Sequence, residues 1–315
     1  MRIGIVGSGA MGSVYGALLA DAGNELWLFD RWREHVEAMW ACGLRCEGAS
    51  GDRTVRVNAT TRAAEAGPCE LVIVATKVMD IEAAVREAAP MIGPQTLVLA
   101  IQNGLGNVAR IRRVLGAENL LFGIAGGFGA ELKRPGHVHH NGMEAINLAE
   151  LEGGITARLE GIAQVWRHAG FTVQVHDDLW PVVWSKLVAN VAFSAICTVT
   201  GMRVGQVRAN DWAWGIACAC VEEAVAVAAA KGIALAYDDP VRWVSDFAAK
   251  IPNARPSMYQ DVRAGRRSEI DAIQGGVVAE GAKVGVPTPT CALMVQLVKA
   301  LEAKGHAHGD VYRAL

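Results

Sequence analysis

The stretch "RIGIVGSGAMGSVYGALLADAGNELWLFD", residues 2–30, decides the fold. An apolar run at 2–6 breaks off at glycine, as a buried strand does. A helical pattern follows over about 10–22 and stops at Gly23, and a second apolar run at 25–30 ends on Asp30. Gly7, Gly9 and Gly12 form G-x-G-x-x-G between the first strand and the helix. The first glycine permits a tight turn, the second lets backbone amides approach a pyrophosphate, and the third lets helix and strand pack closely. Gly7, Ser8, Gly9, Ala10, Met11 and Gly12 are therefore the expected cradle of a dinucleotide, with its phosphates on the positive end of the helix dipole.

Asp30 stands about twenty residues past the glycines, where a carboxylate accepts hydrogen bonds from the adenosine ribose hydroxyls. It would repel a 2′-phosphate, which favours NAD(H). Arg31 argues the other way, since a guanidinium there is able to clamp that phosphate and admit NADP(H). The balance is read in favour of NAD(H).

Two more strand candidates follow, "ELVIVATK" at 70–77 and "TLVLAIQNG" at 96–104, with a helix over 80–89 between them. Both are continuous apolar runs ending in polar residues, the mark of strands buried on two faces. Ligands in such sheets sit beyond the carboxyl ends of the strands. Thr76, Lys77 and Asn103 fall at those ends, beside the glycine loop, and are expected at the cofactor site. Residues 119–150 read as closing strands and a hairpin with "RPGHVHHNG" at its turn. His137, His139 and His140 invite a metal, but no carboxylate or cysteine at ligand spacing completes a set, so surface histidines and no metal are expected. A helix at 155–169 and a strand at 171–178 complete this half.

From "HDDLWPVVWSKLV" onward the pattern is helical, with Asp177 and Asp178 as candidate caps and Pro181 in the first turn. Helices are expected over roughly 182–200, 204–230, 240–249, 257–264, 269–284 and 290–303. The fold class is thus α/β: a Rossmann-type doubly wound sheet in residues 1–178, followed by an all-α domain in 179–315. Within the first of these helices, Lys186, Asn190 and Ser194 recur every fourth residue and share one face. An ammonium set into an apolar helix costs several kcal/mol (about) unless it has a partner or water. Ser257 after Pro256 looks like a helix N-cap, and Ser268 like the cap of the next helix, with Glu269 in its first turn.

These pieces together resemble the ketopantoate reductase (2-dehydropantoate 2-reductase) family over essentially the whole chain. The matching segments are GSGAMG at 7–12, ATK at 75–77, QNG at 102–104, PGHVHH at 135–140, WSKLVAN at 184–190, PSMYQDVRAGRRSEID at 256–271 and GVPTP at 285–289. The resemblance implies reduction of the ketone of ketopantoate to D-pantoate. It implies Lys186 as the general acid, in a cleft between the domains, and Glu269 as the carboxylate that bonds substrate and helps hold it. Asn103 and Lys77 match polar residues near the nicotinamide and the reaction centre, where Asn103 would also meet substrate, and Asn190 and Ser257 match substrate-binding positions. Ser194 stands where the family usually carries a second asparagine, which implies a larger or differently polar pocket. A dehydrogenase of another small 2-oxo or 2-hydroxy acid is the alternative. A non-catalytic dinucleotide sensor is a third reading, but it has no use for both Lys186 and Glu269.

Composition narrows the remaining classes. The 315 residues are 52% apolar and 20% charged, with a formal net charge of −2, which offers no basic stripe for nucleic acid. Seven cysteines without CxxC spacing point to a reducing compartment. The opening apolar run is too short for a signal peptide, and the longest apolar stretches, 187–200 and 216–230, are interrupted by polar residues below the roughly 18 residues of a membrane span. A cytoplasmic protein with no membrane partner is expected. The alanine- and valine-rich "IACACVEEAVAVAAA" at 216–230 and the resemblance together suggest a homodimer.

Overall fold

The helix opening at Ala10 carries almost no polar face, and a helix apolar all round has to be covered on every side. The computed structural model describes residues 1–127, 129–142 and 144–307. In it, β1 (Arg2–Val6) leads through the glycine turn into α1 (Ala10–Asp21) and then β2 (Glu25–Phe29). There follow α2 (Arg33–Cys42), β3 (Leu44–Gly48), β4 (Arg53–Val55), β5 (Asn58–Thr60), β6 (Cys69–Val74), α3 (Ile81–Glu87) and β7 (Ile92–Ala100). The α/β unit ends with α4 (Asn107–Leu115), β8 (Leu120–Gly126), β9 (Gly129–Arg134), β10 (His137–Gly142), β11 (Ala145–Glu150), α5 (Ala157–His168) and β12 (Val173–His176).

The main sheet has eight strands in the order β12-β11-β8-β7-β6-β1-β2-β5. All neighbours are parallel except β8 and β11. A second sheet, β4-β3-β10-β9, packs on α1. Thus α1 lies between two sheets, which explains why Val14, Tyr15, Leu18 and Leu19 are all buried although they point in different directions. The short strands β3, β4 and β5 escape a reading by apolar runs, because three to five residues with polar or charged members carry little periodic signal.

The second sheet corrects the reading of the histidines. They lie on strand β10 rather than in a turn, and His140 is fully buried, its Nδ1 3.0 Å from the Ser50 hydroxyl. The neighbouring parallel strand β3 supplies a carboxylate that spacing along the chain does not reveal. Glu47 lies 3.2 Å from His137 and 3.6 Å from His139, and the Arg45 guanidinium joins it at 2.8 Å. Among the described residues no group of three has the arrangement of a metal site.

The chain divides into two compact units, one of Met1–Gln102 with Asn107–Leu179, the other of Asn103–Gly106 with the residues from Trp180 onward. The second is helical: α6 (Trp180–Thr200), α7 (Val204–Ala209), α8 (Asp211–Ala230), α9 (Pro240–Lys250), α10 (Ser257–Arg263), α11 (Gln274–Val284) and α12 (Pro289–Ala307). The helix expected over 204–230 is two, because the Asn210 side chain accepts the Ala213 N–H at 3.0 Å and starts α8 afresh. The Asp177 carboxylate accepts the Gly154 N–H at 2.7 Å. Helix α6 is the centre of the unit, packing against α7, α8, α9, α10 and α12. With 21 and 20 residues, α6 and α8 are both long and apolar enough to cross a membrane by length and composition alone, polar interruptions notwithstanding. The apolar window of α6 is 72% buried inside the unit.

Candidate active site

The three glycines of the first loop are distinguishable by what a side chain would meet. Gly7 has φ +93°, and a Cβ there would stand 2.6 Å from Thr76 Cγ2 and 2.8 Å from its backbone nitrogen. At Gly12 a Cβ would be 2.0 Å from the Gly7 carbonyl oxygen, so only hydrogen fits. Gly9 is different: nothing lies within 4 Å of its virtual Cβ. Its face is open, as an approaching pyrophosphate requires. No side chain caps the start of α1, so the first-turn amides of Ala10, Met11 and Gly12 are left to an anion or water.

The loop after β6 lies against the same glycine turn, with Thr76 beside Gly7. Ala75 N–H donates to the Val6 carbonyl at 2.8 Å, holding the ends of β1 and β6 together. Between these strands the order of the sheet reverses, and that switch point is where α/β sheets bind ligands. Thr76 Oγ1 is buried there without a hydrogen-bond partner, and so is Gln102 Oε1, whose amide donates to the Val74 carbonyl at 2.6 Å. Orphaned polar atoms beside an open glycine and an uncapped helix suit a polar ligand.

Asp30 is wired into the loop itself. Its Oδ2 accepts the Ser8 N–H at 2.6 Å and the Ser8 hydroxyl at 3.1 Å, and its Oδ1 accepts the Trp32 N–H at 2.9 Å. A carboxylate has about four lone-pair sites, so capacity remains for a ribose hydroxyl. A second chain of bonds, invisible in the sequence, supports the loop from behind. Gly136 N–H donates to Nδ1 of the buried His35 at 3.0 Å, which leaves the proton of the neutral ring on Nε2. Nε2 is 3.2 Å from the Ser13 hydroxyl, and that hydroxyl donates to the Ser8 carbonyl at 2.7 Å. Ser13 and His35 are the residues that motif reading missed, because their link to the hairpin at Gly136 spans 101 positions.

In the helical unit, Lys186 and Asn190 are half-buried on α6 and Ser194 is buried on the same face. Burial pulls the Lys186 ammonium down to about 8, and the Glu269 carboxylate, itself buried, pulls the other way. These two residues are brought together across 83 positions of sequence. Glu269 is not in a helix as expected. The Ser268 hydroxyl accepts the Ile270 N–H at 3.3 Å, residues 269–273 form a turn, and α11 begins only at Gln274. Two N–H groups, of Ala272 and Ile273, converge on the Glu269 carbonyl at 3.0 Å each and fix that turn. Ser257 is the first residue of α10 rather than its cap; Pro256 takes the cap position and the serine hydroxyl is left exposed.

The Asn103–Gly106 segment joins this unit through its backbone. Leu105 N–H donates to the Ala272 carbonyl at 2.8 Å, and a Cβ on Gly104, where φ is +77°, would stand 2.5 Å from that oxygen. The glycine after Asn103 is thus required by the turn that follows Glu269. Gln274, also unremarked in the sequence, is fully buried with its amide on the Val191 carbonyl of α6 at 3.2 Å and its Oε1 unpartnered.

Comparison with known proteins identifies the family. The family model for ketopantoate reductase PanE/ApbA matches residues 3–153, and that for its C-terminal part matches residues 178–302. The 2-dehydropantoate 2-reductase of Streptococcus pyogenes serotype M3 is 30% identical over 304 residues, covering 96% of this chain and 98% of its own. That of Pyrococcus horikoshii is 31% identical, covering 97% and 99%. The PanE/ApbA family ketopantoate reductase of Ralstonia eutropha JMP134 superimposes with a TM-score of 0.90 at 31% identity, over 97% of this chain and 100% of that one. A D-mandelate dehydrogenase, solved with NADH and anilino(oxo)acetate, does so at 0.89 and 29%, over 96% and 99%. With both family models matched in order along one chain and full-length relatives at 30% identity or more, the protein belongs to the ketopantoate reductase family of oxidoreductases.

Proposed function

We propose that the protein reduces the ketone of 2-dehydropantoate to D-pantoate at the expense of a reduced nicotinamide dinucleotide, with Lys186 as general acid. The observation that carries this reading is Lys186 set in the apolar helix α6 with the buried Glu269 carboxylate acting on its charge; burial favours loss of its proton. A bound NAD(P)H would supply the hydride. As hydride reaches a 2-oxo acid, alkoxide charge grows on the carbonyl oxygen, and an ammonium aimed at that oxygen stabilises the transition state more than the ground state. The same Nζ then gives its proton to the oxygen, a transfer favoured by a pKa near the working pH. Glu269 bonds substrate and holds the ammonium, while Asn103, Asn190, Ser194 and Ser257 bind the remaining polar groups. Gly7, Ser8, Gly9, Ala10, Met11 and Gly12 take the pyrophosphate, Asp30 the adenosine ribose, and Thr76 and Lys77 the nicotinamide half. NADH is favoured over NADPH by the carboxylate of Asp30.

A second reading is reduction of a different 2-oxo acid. Ser194 favours it, because a serine is shorter than the asparagine that the resemblance places there, and so does the likeness to a D-mandelate dehydrogenase. Steady-state kinetics with ketopantoate and a panel of branched and aryl 2-oxo acids, each with NADH and NADPH, separates the two. Ketopantoate should give the highest kcat/KM; a larger acid that exceeds it tenfold transfers the assignment to the second reading, and no turnover with any acid overturns both. The helical unit is further proposed to meet a second copy of the chain through the exposed face of α8.

A further inference from the structure

Arg31 follows Asp30 at the end of β2, where an arginine is able to accommodate the 2′-phosphate of an NADP-type cofactor. Its guanidinium is already engaged. Nε donates to Glu87 Oε2 at 2.9 Å and Nη2 donates to Oε1, a two-pronged grip on one carboxylate. Glu87 is the last residue of α3, the helix entered shortly after Thr76 and Lys77, and it belongs to no glycine motif. Asp80 and Asp30 also act on the Arg31 charge. One carboxylate thus grips the guanidinium, and two more act on its charge from farther off. A 2′-phosphate entering here would find the Nε–Nη2 edge of the guanidinium taken and would lie beside the Glu87 carboxylate.

We propose that Glu87 is a specificity-determining residue: by holding Arg31 it withholds that cation from a 2′-phosphate and makes the protein selective for NADH. This rests on the dinucleotide reading of the glycine crevice. Both side chains are well exposed, 61% for Arg31 and 46% for Glu87, so the pair contributes little to folding and its removal tests binding.

The test is equilibrium titration of the full chain with NADH and with NADPH, read by energy transfer from tryptophan to the reduced nicotinamide. The wild type should bind NADH at least tenfold more tightly. Glu87→Ala should tighten NADPH about tenfold while NADH changes less than twofold, and adding Arg31→Ala to it should return NADPH to its original weak binding. A wild type that binds NADPH as tightly as NADH, or a Glu87→Ala variant with an unchanged ratio, overturns the role of Glu87 and leaves the crevice reading intact. If neither nucleotide binds the folded wild type, the crevice reading falls and takes this inference with it.

Discussion

The carboxylate of Glu269 raises the pKa of Lys186 against the burial that lowers it to about 8. A general acid must be protonated, so kcat/KM for ketone reduction should be level at neutral pH and fall about tenfold per unit above about 8. Removing the opposing charge with Glu269→Gln leaves burial alone, and the alkaline limb should move to lower pH. Lys186→Ala should lose turnover by about three orders of magnitude while NADH affinity stays within a few-fold. The pH profiles of the three proteins and a cofactor titration check this. A limb that does not move in Glu269→Gln would separate the two residues.

The glycines of the first loop should respond in opposite ways. Gly12→Ala drives a methyl to 2.0 Å from a backbone oxygen, and should destabilise the fold by about 3 kcal/mol or more. Gly9→Ala meets nothing within 4 Å and should leave thermal stability unchanged, yet weaken dinucleotide binding by at least tenfold. Melting curves with and without NADH distinguish the two effects.

His35 makes stability depend on pH with a definite sign. Burial holds its pKa below the ordinary 6.5, and its Nδ1 already accepts the Gly136 N–H, so the folded ring resists a second proton. The unfolded chain binds protons that the native state refuses between that depressed value and 6.5. Stability is therefore retained above 6.5 and lost as pH falls through this window. His140 and His176, also lowered by burial, add to the same slope. Urea denaturation at pH 7.5 and 5.5 should show the loss, and His35→Gln should reduce its steepness by up to about 1.4 kcal/mol per pH unit. An unchanged slope would remove His35 from the account.

Trp212, 86% exposed, and Ile216, 38% exposed, lie one turn apart on α8. An indole this open is the kind of anchor that a second copy would cover. Sedimentation velocity should give a dimer for the wild type and a shift toward monomer for Trp212→Ala, with catalysis per chain altered little. A wild-type monomer at micromolar concentration sinks the dimer proposal.

What was legible in the sequence was local. The strand, glycine turn and helix of residues 2–30 could be read directly, because the pattern is continuous along the chain and Gly12 answers a contact with Gly7 five residues before it. The Lys186–Asn190–Ser194 stripe was legible for the same reason, since helical periodicity places them on one face whatever packs against it. Tertiary structure decided what depends on residues meeting from distant segments. It put Glu47 beside His137 and His139, tied the glycine loop to Gly136 through Ser13 and His35, gave Arg31 to Glu87, and placed Glu269 in a turn rather than a helix. A hydrogen bond or ion pair reports the distance between two side chains, and spacing along the chain carries that distance only within a helix turn or a single strand.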